Sequence, residues 1–420
     1  MVQAVRGTFD ILPSDAGLWQ AIERELRAVF GVYGFGEIRT PVFEATDLFV
    51  RSVGAETDIV SKEMYTFMDR DETTSLTLRP EGTAPVVRSY IERRLADESR
   101  MIKLYYIGPM FRRERPQKGR SRQFHQAGVE VLSATDNPAI EAEVIEMLVL
   151  LLARLGVTDF ELRVNSIGCR ECRPAFVERL RGEILRRRSG LCADCRRRGE
   201  TNPLRVFDCK VPPCQSLIAE LPTITSSLCQ ACAAHFDEFR AYLDERGLSY
   251  RLDERLVRGL DYYMRTTFEL VSHELGAQDT LAAGGRYDGL TEDLGGPPTR
   301  GFGFAMGLER LIFSIPDSRR LVRGTGPDYF LATHGDEAFR YATLLARKLR
   351  AAGQAAYLDF DGRSLKSQMR LAGKLGAARV VILGDDELRS GKLTIRDMDT
   401  REQREATEAE LLAGGENANS

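Results

Sequence analysis

Apolar residues recur at helical spacing near the start of the chain and at strand spacing after it. An amphipathic helix is predicted by four residues that lie three or four positions apart: Leu18, Ile22, Leu26 and Val29. An extended segment follows at residues 38–44, where Pro41 lacks an N–H donor and therefore favours a sheet edge. Further strands are predicted at residues 64–67, 76–78, 103–114 and 124–132, and a helix is predicted at residues 139–155.

The pattern changes between Cys169 and Arg246, where arginine and cysteine are dense and no strand pattern is visible. This predicts an inserted, mostly helical module. Strand and turn patterns return from Leu256 to Leu311, and residues 321–327 have the composition of a linker. Alternating strand and helix patterns then predict a small α/β domain with a partly parallel sheet, at residues 329–332, 337–350, 355–358, 365–375 and 379–383.

These changes divide the chain into three domains, of which the first is interrupted by the second. We expect its first part at residues 1–168, the helical insertion at 169–250, its second part at 251–322, and the α/β domain at 327–420. The total length of 420 residues agrees with this division, because domains average roughly 150 residues.

Net charge and hydropathy argue against some classes of protein. Lys and Arg total 59 and Asp and Glu total 62, and the formal net charge of −3 disfavours non-specific coating of nucleic acid or membranes. The first ten residues contain no apolar signal-peptide core, and the most apolar stretch, residues 144–155, is too short to span a bilayer. We therefore expect a cytoplasmic protein that does not interact with a membrane.

One predicted hairpin, residues 106–130, concentrates positive charge in its loop. Six basic residues and a single acid, Glu114, lie between Arg112 and Arg122, for a local net charge of +5. Such a loop is suited to the phosphates of a nucleotide or of a nucleic-acid backbone. A solvated, charged hairpin tip is the alternative.

Side-chain alternation places polar and charged residues on one face of each strand of the same hairpin. Arg112 and Glu114 share a face of the incoming strand. Gln126 and Glu130 share a face of the outgoing strand, with Gly128 between them. If the faces coincide, a ligand can lie against the backbone at Gly128, with Arg112 on a phosphate and Glu130 on an ammonium group. The alternative is a polar face that meets water.

Two further segments carry polar residues in patterns unusual for plain loops. Residues 78–83 (LRPEGT) contain a turn, and Glu81 and Thr83 either cap the helix that follows or bind a ligand. Thr83 is the candidate for the N-cap. Residues 256–263 (LVRGLDYY) combine an arginine, an aspartate and two tyrosines directly before a predicted strand.

Two glycine-rich segments complete the candidate site. Paired glycines in residues 282–290 (AAGGRYDGL) allow close backbone approach. Residues 301–311 (GFGFAMGLERL) predict a strand on which a flat ring can lie, followed by a helix that carries Arg310. The glycine spacing is not that of the dinucleotide-binding fingerprint, and the chain contains no Walker-type phosphate loop, so a bound nucleotide requires a different design.

All eight cysteines lie between residues 169 and 232, in four pairs: Cys169/Cys172, Cys192/Cys195, Cys209/Cys214 and Cys229/Cys232. Three of the pairs have C-x-x-C spacing, which in a chain without an export signal indicates metal binding rather than disulfides. Eight thiols suit two structural zinc sites, or one site with spare cysteines. Reduced thiols and a redox role are the alternatives.

Together these motifs resemble the class II aminoacyl-tRNA synthetases. The hairpin sequence FRRE and the sequence GLER resemble the second and third motifs of that class, and the first helix with its proline-bearing strand resembles the first motif, which forms a dimer interface. LVRGLDYY and GGRYDG resemble the two signatures of histidyl-tRNA synthetases, and the resemblance covers residues 7–412. It implies an α+β catalytic domain on an antiparallel sheet, with the cysteine-rich helical insertion and a C-terminal α/β anticodon-binding domain.

The resemblance implies that ATP activates L-histidine to histidyl-adenylate and that histidine is then transferred to the 3′ end of its tRNA. Arg112 and Arg258 would hold the α-phosphate from opposite sides, and Arg310 would contact the γ-phosphate. Glu114 would face the adenine and Arg120 would contact the phosphates. Magnesium would accompany the ATP, without a dedicated set of protein ligands.

The resemblance also assigns residues to histidine and tRNA. Histidine would be bound by Glu81, Thr83, Gln126, Glu130, Tyr262, Tyr263 and Tyr287. Gln117 and Lys118 in the hairpin loop would touch the tRNA acceptor end, although Ser121 replaces an expected aromatic residue there. The C-terminal domain would read the anticodon, the basic insertion would contact the acceptor arm, and the protein would be a homodimer.

Two alternatives are weighed against this interpretation. One is a non-catalytic histidine-binding paralogue, the regulatory subunit of ATP phosphoribosyltransferase, which shares the catalytic fold. That class usually lacks the anticodon domain and the LVRGLDYY pattern. This chain contains the pattern, and we expect it to contain the domain. The other is an RNA-binding sensor without catalysis, which would not need Arg112, Arg258 and Arg310 together.

Overall fold

The computed structural model describes residues 2–117, 119–272, 280–316 and 326–413. The chain forms two compact units, one of Met1–Ile11 with Trp19–Ser318 and one of Leu12–Leu18 with Arg319–Ser420. Lys118 and the predicted linker residues 321–325 lie outside the described residues. No helix among the described residues is long and apolar enough to cross a membrane.

The first unit is organised around β-strands, many of which alternate apolar and polar residues. In chain order, the strands are β1 Gly36–Glu37, β2 Phe43–Ala45, β3 Tyr65–Met68, β4 Ser75–Leu78, β5 Met101–Phe111, β6 Gln123–Ser133, β7 Glu161–Ser166, β8 Arg251–Leu252, β9 Met264–Val271, β10 Thr280–Arg286 and β11 Arg300–Gly307. Eight of them form one sheet in the order β1-β5-β6-β11-β10-β9-β7-β8, and β2-β4-β3 form a small second sheet. The six inner strands of the large sheet are antiparallel, which confirms the predicted catalytic architecture.

Helices cover and extend this sheet. They are α1 Pro13–Val32, of which residues 13–18 are grouped with the second unit, and then α2 Thr46–Val53, α3 Thr83–Glu92, α4 Pro138–Arg154, α5 Arg173–Arg186, α6 Ala193–Thr201, α7 Pro212–Ile218, α8 Gln230–Glu245, α9 Leu290–Asp293 and α10 Leu308–Phe313. The start of α4 shows why the sequence folds this way: the Asn137 side chain accepts the Ala139 N–H at 2.9 Å, and Pro138 needs no partner.

The segment between β7 and β8 contains four α-helices, α5 to α8, and no strand is assigned in residues 167–250, all of which are described. Its core mixes aliphatic, aromatic and sulfur side chains, among them Phe176, Leu180, Val206, Cys195 and Cys209. A short 3₁₀ helix, Pro203–Asp208, connects α6 to α7. We call residues 169–250 the insertion.

The second unit is a separate sheet flanked by helices. Its elements are β12 Tyr329–Thr333, α11 Asp336–Ala351, β13 Ala356–Leu358, α12 Leu365–Lys374, β14 Arg379–Leu383, α13 Asp385–Ser390, β15 Leu393–Asp397, β16 Gln403–Ala406 and α14 Glu408–Ala413. The strand order is β13-β12-β14-β15-β16, with β13, β12 and β14 parallel and the rest antiparallel. Strand β12 is buried on both faces, with Leu331 in one apolar cluster and Phe330 in another. The partly parallel α/β pattern is confirmed.

Some predicted boundaries were wrong. The incoming hairpin strand ends at Phe111 rather than residue 114, because the Arg113 N–H bonds to the Glu63 carbonyl at 2.6 Å and leaves the ladder. Of the predicted extended segment 38–44, only residues 43 and 44 are in a strand, at the start of β2; β1 ends just before the segment, and Pro41 lies between the two strands. Strands β7, β15 and β16 were not predicted.

Candidate active site

A cavity opens on one face of the large sheet, where small residues line up across three strands. The register places Gly128 opposite Ala305, and Ala305 opposite Ala283, so these residues share one side of the sheet. Gln126 and Gly307 form the next cross-strand pair. The resulting floor is flat, and the cavity above it holds about 960 Å³ when the solvent at its mouth is included, which is the size of a ligand-binding cleft.

Most of the residues chosen from the sequence meet in this cavity. It is lined by Glu81, Thr83, Arg112, Glu114, Arg120, Gln126, Arg258, Tyr262, Tyr263 and Arg310. Glu130 and Tyr287 are buried and bonded to each other and do not line it. Gln117 is on the exposed hairpin loop, and Lys118 lies outside the described residues.

Three arginines reach the cavity from three separate parts of the chain. The Arg112 Nε donates to the Pro80 carbonyl at 2.9 Å, and its guanidinium lies 5.3 Å from the centre of the Phe124 ring. The Arg310 Nε donates to the Gly119 carbonyl at 3.0 Å. Each guanidinium is therefore oriented by backbone or an aromatic ring, and together they make the cavity suited to a polyphosphate.

The third arginine, Arg258, lies in an irregular segment, residues 256–263, which we call the arginine loop. It forms an ion pair with Glu269 on β9 and lies 5.6 Å from the centre of the Tyr263 ring. Its Nε is buried and has no hydrogen-bond partner among the described residues, and neither has the Oε1 of Gln126. Buried polar atoms without partners are costly, so these two atoms point to a polar ligand in the cavity.

Acidic residues balance the charge of the hairpin loop. The Glu114 carboxylate lies 2.9 Å from the Arg120 guanidinium and 4.0 Å from that of Arg112. Glu309 on α10 accepts the backbone N–H of His125 at 2.9 Å and contacts its ring nitrogen at 3.0 Å. These contacts hold the hairpin next to α10, and thus next to Arg310.

A buried carboxylate network lies beneath the far end of the cavity. The Glu81 carboxylate accepts the backbone N–H groups of Thr83 and Ala84 at 2.8 and 2.9 Å, so Glu81 caps α3 and the predicted N-cap, Thr83, was wrong. The Thr83 hydroxyl instead donates to Glu130 at 2.6 Å. The Tyr287 hydroxyl donates to the other Glu130 oxygen at 2.6 Å.

Burial controls the protonation of this network. It raises the pKa of Glu130 to about 8, although the two hydroxyl donors favour its ionised form. Burial likewise raises the pKa of Glu81. Glu130 therefore holds a proton at neutral pH in the free protein, next to Thr83, which lines the cavity.

Sequence analysis missed several residues of the site. Tyr106 is opposite Gly128 in the β5–β6 register, and its hydroxyl would be 2.3 Å from a Cβ added there. The space at Gly128 is thus filled by Tyr106, not by a ligand as predicted. Phe124 lines the cavity as a flat ring, and Glu269 pairs with Arg258. The cross-strand register was the missing information, since the pattern alone identifies faces but not partners.

The eight cysteines form two groups of four, each with all sulfurs within 4.8 Å of one another. The first thiol cluster is Cys169, Cys172, Cys229 and Cys232, and the second thiol cluster is Cys192, Cys195, Cys209 and Cys214. Sulfur pairs in the first cluster are 3.8 to 3.9 Å apart, and one pair in the second is 3.9 Å apart. The edges of a zinc tetrathiolate are about 3.8 Å long, given Zn–S bonds of about 2.3 Å, so both clusters fit this metal.

Comparison with known families gives a consistent result. A family model described as histidyl-tRNA synthetase matches residues 7–171 and 215–311. A second model, described as an anticodon binding domain, matches residues 329–414. The first model alone accounts for more than half of the chain.

Individual relatives match over nearly the full length. A histidine–tRNA ligase of Syntrophotalea carbinolica is 51% identical over 96% of this chain and 95% of its own. One of Solibacter usitatus is 50% identical over 98% of both chains. The crystal structure of apo histidyl-tRNA synthetase from S. aureus superposes with a TM-score of 0.82 at 38% identity, covering 99% of this chain and all of the other.

Proposed function

The chain belongs to the histidyl-tRNA synthetase family, and we propose that its cavity activates L-histidine with ATP and then transfers histidine to the 3′ end of tRNA(His). The observation that carries this proposal is the convergence of three arginines over a flat, small-residue sheet, in a cavity whose lining residues Arg258 and Gln126 each retain a buried polar atom without a partner.

Activation is an in-line attack by a histidine carboxylate oxygen on the α-phosphorus of ATP. A phosphorus–oxygen bond forms to histidine, the bond to the β-phosphate oxygen breaks, and pyrophosphate leaves with that electron pair. Arg112 and Arg258 flank the α-phosphate and stabilise the negative charge that develops there. No side chain forms a covalent bond, because positioning and electrostatic stabilisation supply the rate.

The nucleotide lies over β6, β10 and β11. We assign the adenine to the Phe124 ring and the Glu114 carboxylate, and the terminal phosphates to Arg310 and Arg120, which all line the cavity. Among the described residues, no group of three acidic or histidine side chains lies together in the cavity. Magnesium, when bound with ATP, would be held mainly by the ATP phosphates and would neutralise part of their charge.

Histidine lies over the buried carboxylate network. Glu81, Thr83 and Gln126 line the cavity and bind the ammonium group, while Tyr262 and Tyr263 form a wall for the imidazole. We assign Glu130 and Tyr287 to the histidine site as well, because they lie directly behind Thr83 and the Glu130 carboxylate adds negative charge next to the site of the ammonium group.

The tRNA meets three surfaces. The exposed loop residue Gln117, with its neighbour Lys118, contacts the acceptor end, where the missing aromatic residue at Ser121 changes the local contacts. The basic insertion contacts the acceptor arm. The second unit reads the anticodon, supported by the anticodon-domain match at residues 329–414.

Both thiol clusters hold zinc in this proposal. The sulfur spacing supports tetrahedral coordination, and the small core of the insertion contains several cysteines, so metal ligation replaces part of an apolar core. Metal analysis of protein purified under reducing conditions should find two zinc ions per chain. A value near zero would contradict this assignment and leave reduced thiols as the alternative.

A homodimer is supported by the small sheet that follows the first motif. Apolar side chains on β2, β3 and the residue before β2 are 40 to 53% exposed: Val42, Phe43, Phe67 and Met68. Exposed apolar patches of this kind mark interfaces. Light scattering should give twice the chain mass. We place the reaction in the cytoplasm, where tRNA and ATP are available and thiols stay reduced.

Histidine-dependent exchange of pyrophosphate into ATP tests the proposed reaction. Arg258→Ala should lower the exchange rate about 100- to 1000-fold, the usual effect of removing one charge-stabilising group. Its dissociation constant for histidine should change much less, because Arg258 acts on the phosphate. Arg347→Ala is the matched control, since this exposed arginine lies on α11 of the second unit and does not line the cavity. Equal losses in rate and histidine affinity would contradict the role of Arg258.

The non-catalytic paralogue is not favoured. The chain carries the anticodon-domain match that this class usually lacks, retains LVRGLDYY, and matches histidine–tRNA ligases along its whole length. The exchange assay distinguishes the proposed synthetase from the remaining alternative, an RNA sensor, because a sensor would show no histidine-dependent exchange.

A further inference from the structure

The arginine loop has little regular structure, yet it must hold Arg258 at a defined position. Part of its support comes from the catalytic body, where the Asn165 side chain donates to the Leu256 carbonyl at 2.9 Å. The rest comes from the insertion. Arg255 donates to the Ile218 carbonyl at 3.3 Å, and Arg173 donates to the Tyr263 carbonyl at 2.8 Å.

One segment of the insertion, residues 202–208 (NPLRVFD), covers the middle of the arginine loop. The Asn202 amide donates to the Asp261 carboxylate at 2.9 Å. The Arg205 guanidinium lies so close to Gly259, the neighbour of Arg258, that a Cβ added there would be 2.8 Å from Nη1. A larger residue at this position would therefore have to displace the Arg205 guanidinium.

Apolar contacts reinforce these polar ones. Leu204 and Phe207 pack against the buried cluster that contains Val257, Tyr262 and Tyr263 of the arginine loop. Val206, between them, points the other way and is fully buried in the core of the insertion with Cys195, Cys209 and Cys214. The 3₁₀ helix is thus held between the second thiol cluster and the arginine loop.

The four thiols of the second thiol cluster flank residues 202–208 along the chain, so a metal ion bound to them would restrain this segment. Cys192 and Cys195 precede the segment, and Cys209 and Cys214 follow it, so one metal ion ligated by all four closes a chain loop that contains residues 202–208. Without the metal, α6 and α7 are joined through a small core and through the bond from the Cys192 N–H to the Cys214 sulfur at 3.1 Å. With it, both ends of the segment are held to one point.

We propose that the second thiol cluster, when it binds zinc, is a positioning device for catalysis: it holds residues 202–208 against the arginine loop and thereby fixes Arg258 for adenylate formation. This rests on the proposed synthetase function and on zinc occupancy. Phe207 is a positioning residue in this scheme, because it acts through the loop and does not line the cavity.

A mutant cycle distinguishes positioning of Arg258 from general stabilisation of the fold. Cys209→Ser should reduce zinc from two to one per chain and lower the rate of histidine-dependent exchange at least tenfold. In an Arg258→Ala background, the same substitution should cost less than threefold, because the group it positions is gone. In an Arg310→Ala background the full loss should persist, since Arg310 is held by the Gly119 and Thr280 carbonyls.

Amide hydrogen exchange tests the same positioning role independently of catalysis. Amide hydrogen exchange in residues 256–263 should be faster in Cys209→Ser than in the parent protein, while the hairpin strands should be unchanged. If Cys209→Ser does not fold, Phe207→Ala takes its place in the same two backgrounds and tests the same positioning role. Phe207→Leu should keep most of the exchange rate that Phe207→Ala loses.

The outcomes separate the two proposals. A parent protein that shows no histidine-dependent exchange would overturn the proposed function itself. A parent that is active and holds two zinc ions, but in which the losses multiply equally in the Arg258→Ala and Arg310→Ala backgrounds, would overturn only the positioning role. Unchanged hydrogen exchange in residues 256–263 on loss of zinc would do the same.

Discussion

The protonation of Glu130 predicts a measurable proton release when histidine binds. Its carboxyl group is 1% exposed and accepts hydrogen bonds from Thr83 and Tyr287. Burial raises its pKa to about 8, so the free protein holds this proton at neutral pH. The ammonium group of a histidine bound in the cavity favours the ionised carboxylate, and the proton must then leave to solvent.

The number of protons released and the change in histidine affinity both follow from the raised pKa of Glu130. A group with a pKa of about 8 is about 90% protonated at pH 7.0 and about 50% at pH 8.0. If the complex holds Glu130 ionised, binding releases about 0.9 proton at pH 7.0 and about 0.5 at pH 8.0. Removing that proton costs about 1.4 kcal/mol at pH 7.0 and about 0.4 kcal/mol at pH 8.0. Histidine affinity should therefore rise about fivefold across this interval.

Titration calorimetry in buffers of different ionisation enthalpy measures both quantities. The control is Glu130→Gln, which keeps the size of the side chain and removes the titration. Free histidine itself titrates near pH 6.5, so the variant also reports the ligand's own protons. We expect the variant to release only those protons and to bind with an affinity that no longer rises between pH 7.0 and 8.0.

Either of two results would contradict the role assigned to Glu130. If the parent and Glu130→Gln release the same number of protons and show the same pH dependence of affinity, Glu130 does not carry the titrating proton. Proton uptake on binding, rather than release, would show that the sign of the linkage is wrong.

Three further predictions address stability, metal and RNA. Arg286 is buried and pairs with Glu141 at 2.6 Å and with Asp288 at 3.1 Å, so Arg286→Met should destabilise the first unit by about 3–5 kcal/mol by leaving buried carboxylates unpaired; an unchanged urea midpoint would contradict this. Removal of zinc by a chelator should make the insertion sensitive to protease before the remainder of the chain, as judged by mass spectrometry; uniform cleavage would argue against a local metal-dependent core. Arg115 is exposed in the hairpin loop, and Arg115→Ala should reduce the salt dependence of tRNA binding by about one phosphate contact with little change in ATP exchange; an unchanged salt slope would place this side chain away from the RNA.

The elements with strong local patterns were predictable. The helical spacing from Leu18 to Val29, the alternation in the hairpin, and the strand–helix alternation after residue 329 each produced the predicted element. These features depend on which face of an element is buried, and that information is local. Strand ends were predicted less well, because Arg113 leaves the ladder for a bond to Glu63, a residue 50 positions away in the chain.

Several partners within the site could be identified only from the tertiary structure. The sequence made Thr83 the candidate for the N-cap, but in the fold the Glu81 carboxylate accepts the first backbone N–H groups of α3 and the Thr83 hydroxyl donates to Glu130. Tyr106 filled the space above Gly128 because the hairpin register placed it there. Such pairings depend on residues far apart in sequence, and no local pattern encodes them.

The cysteines show the same division. Their spacing by itself predicted metal binding, since C-x-x-C pairs bring two thiols to one side of a turn. The spacing left open which pairs combine, and the fold joins the first pair with the last and the two middle pairs with each other. The sequence by itself thus determined the chemical groups, their local elements and the family. Only the tertiary structure decided which groups meet, because burial and hydrogen bonding are satisfied by contacts between segments that are distant along the chain.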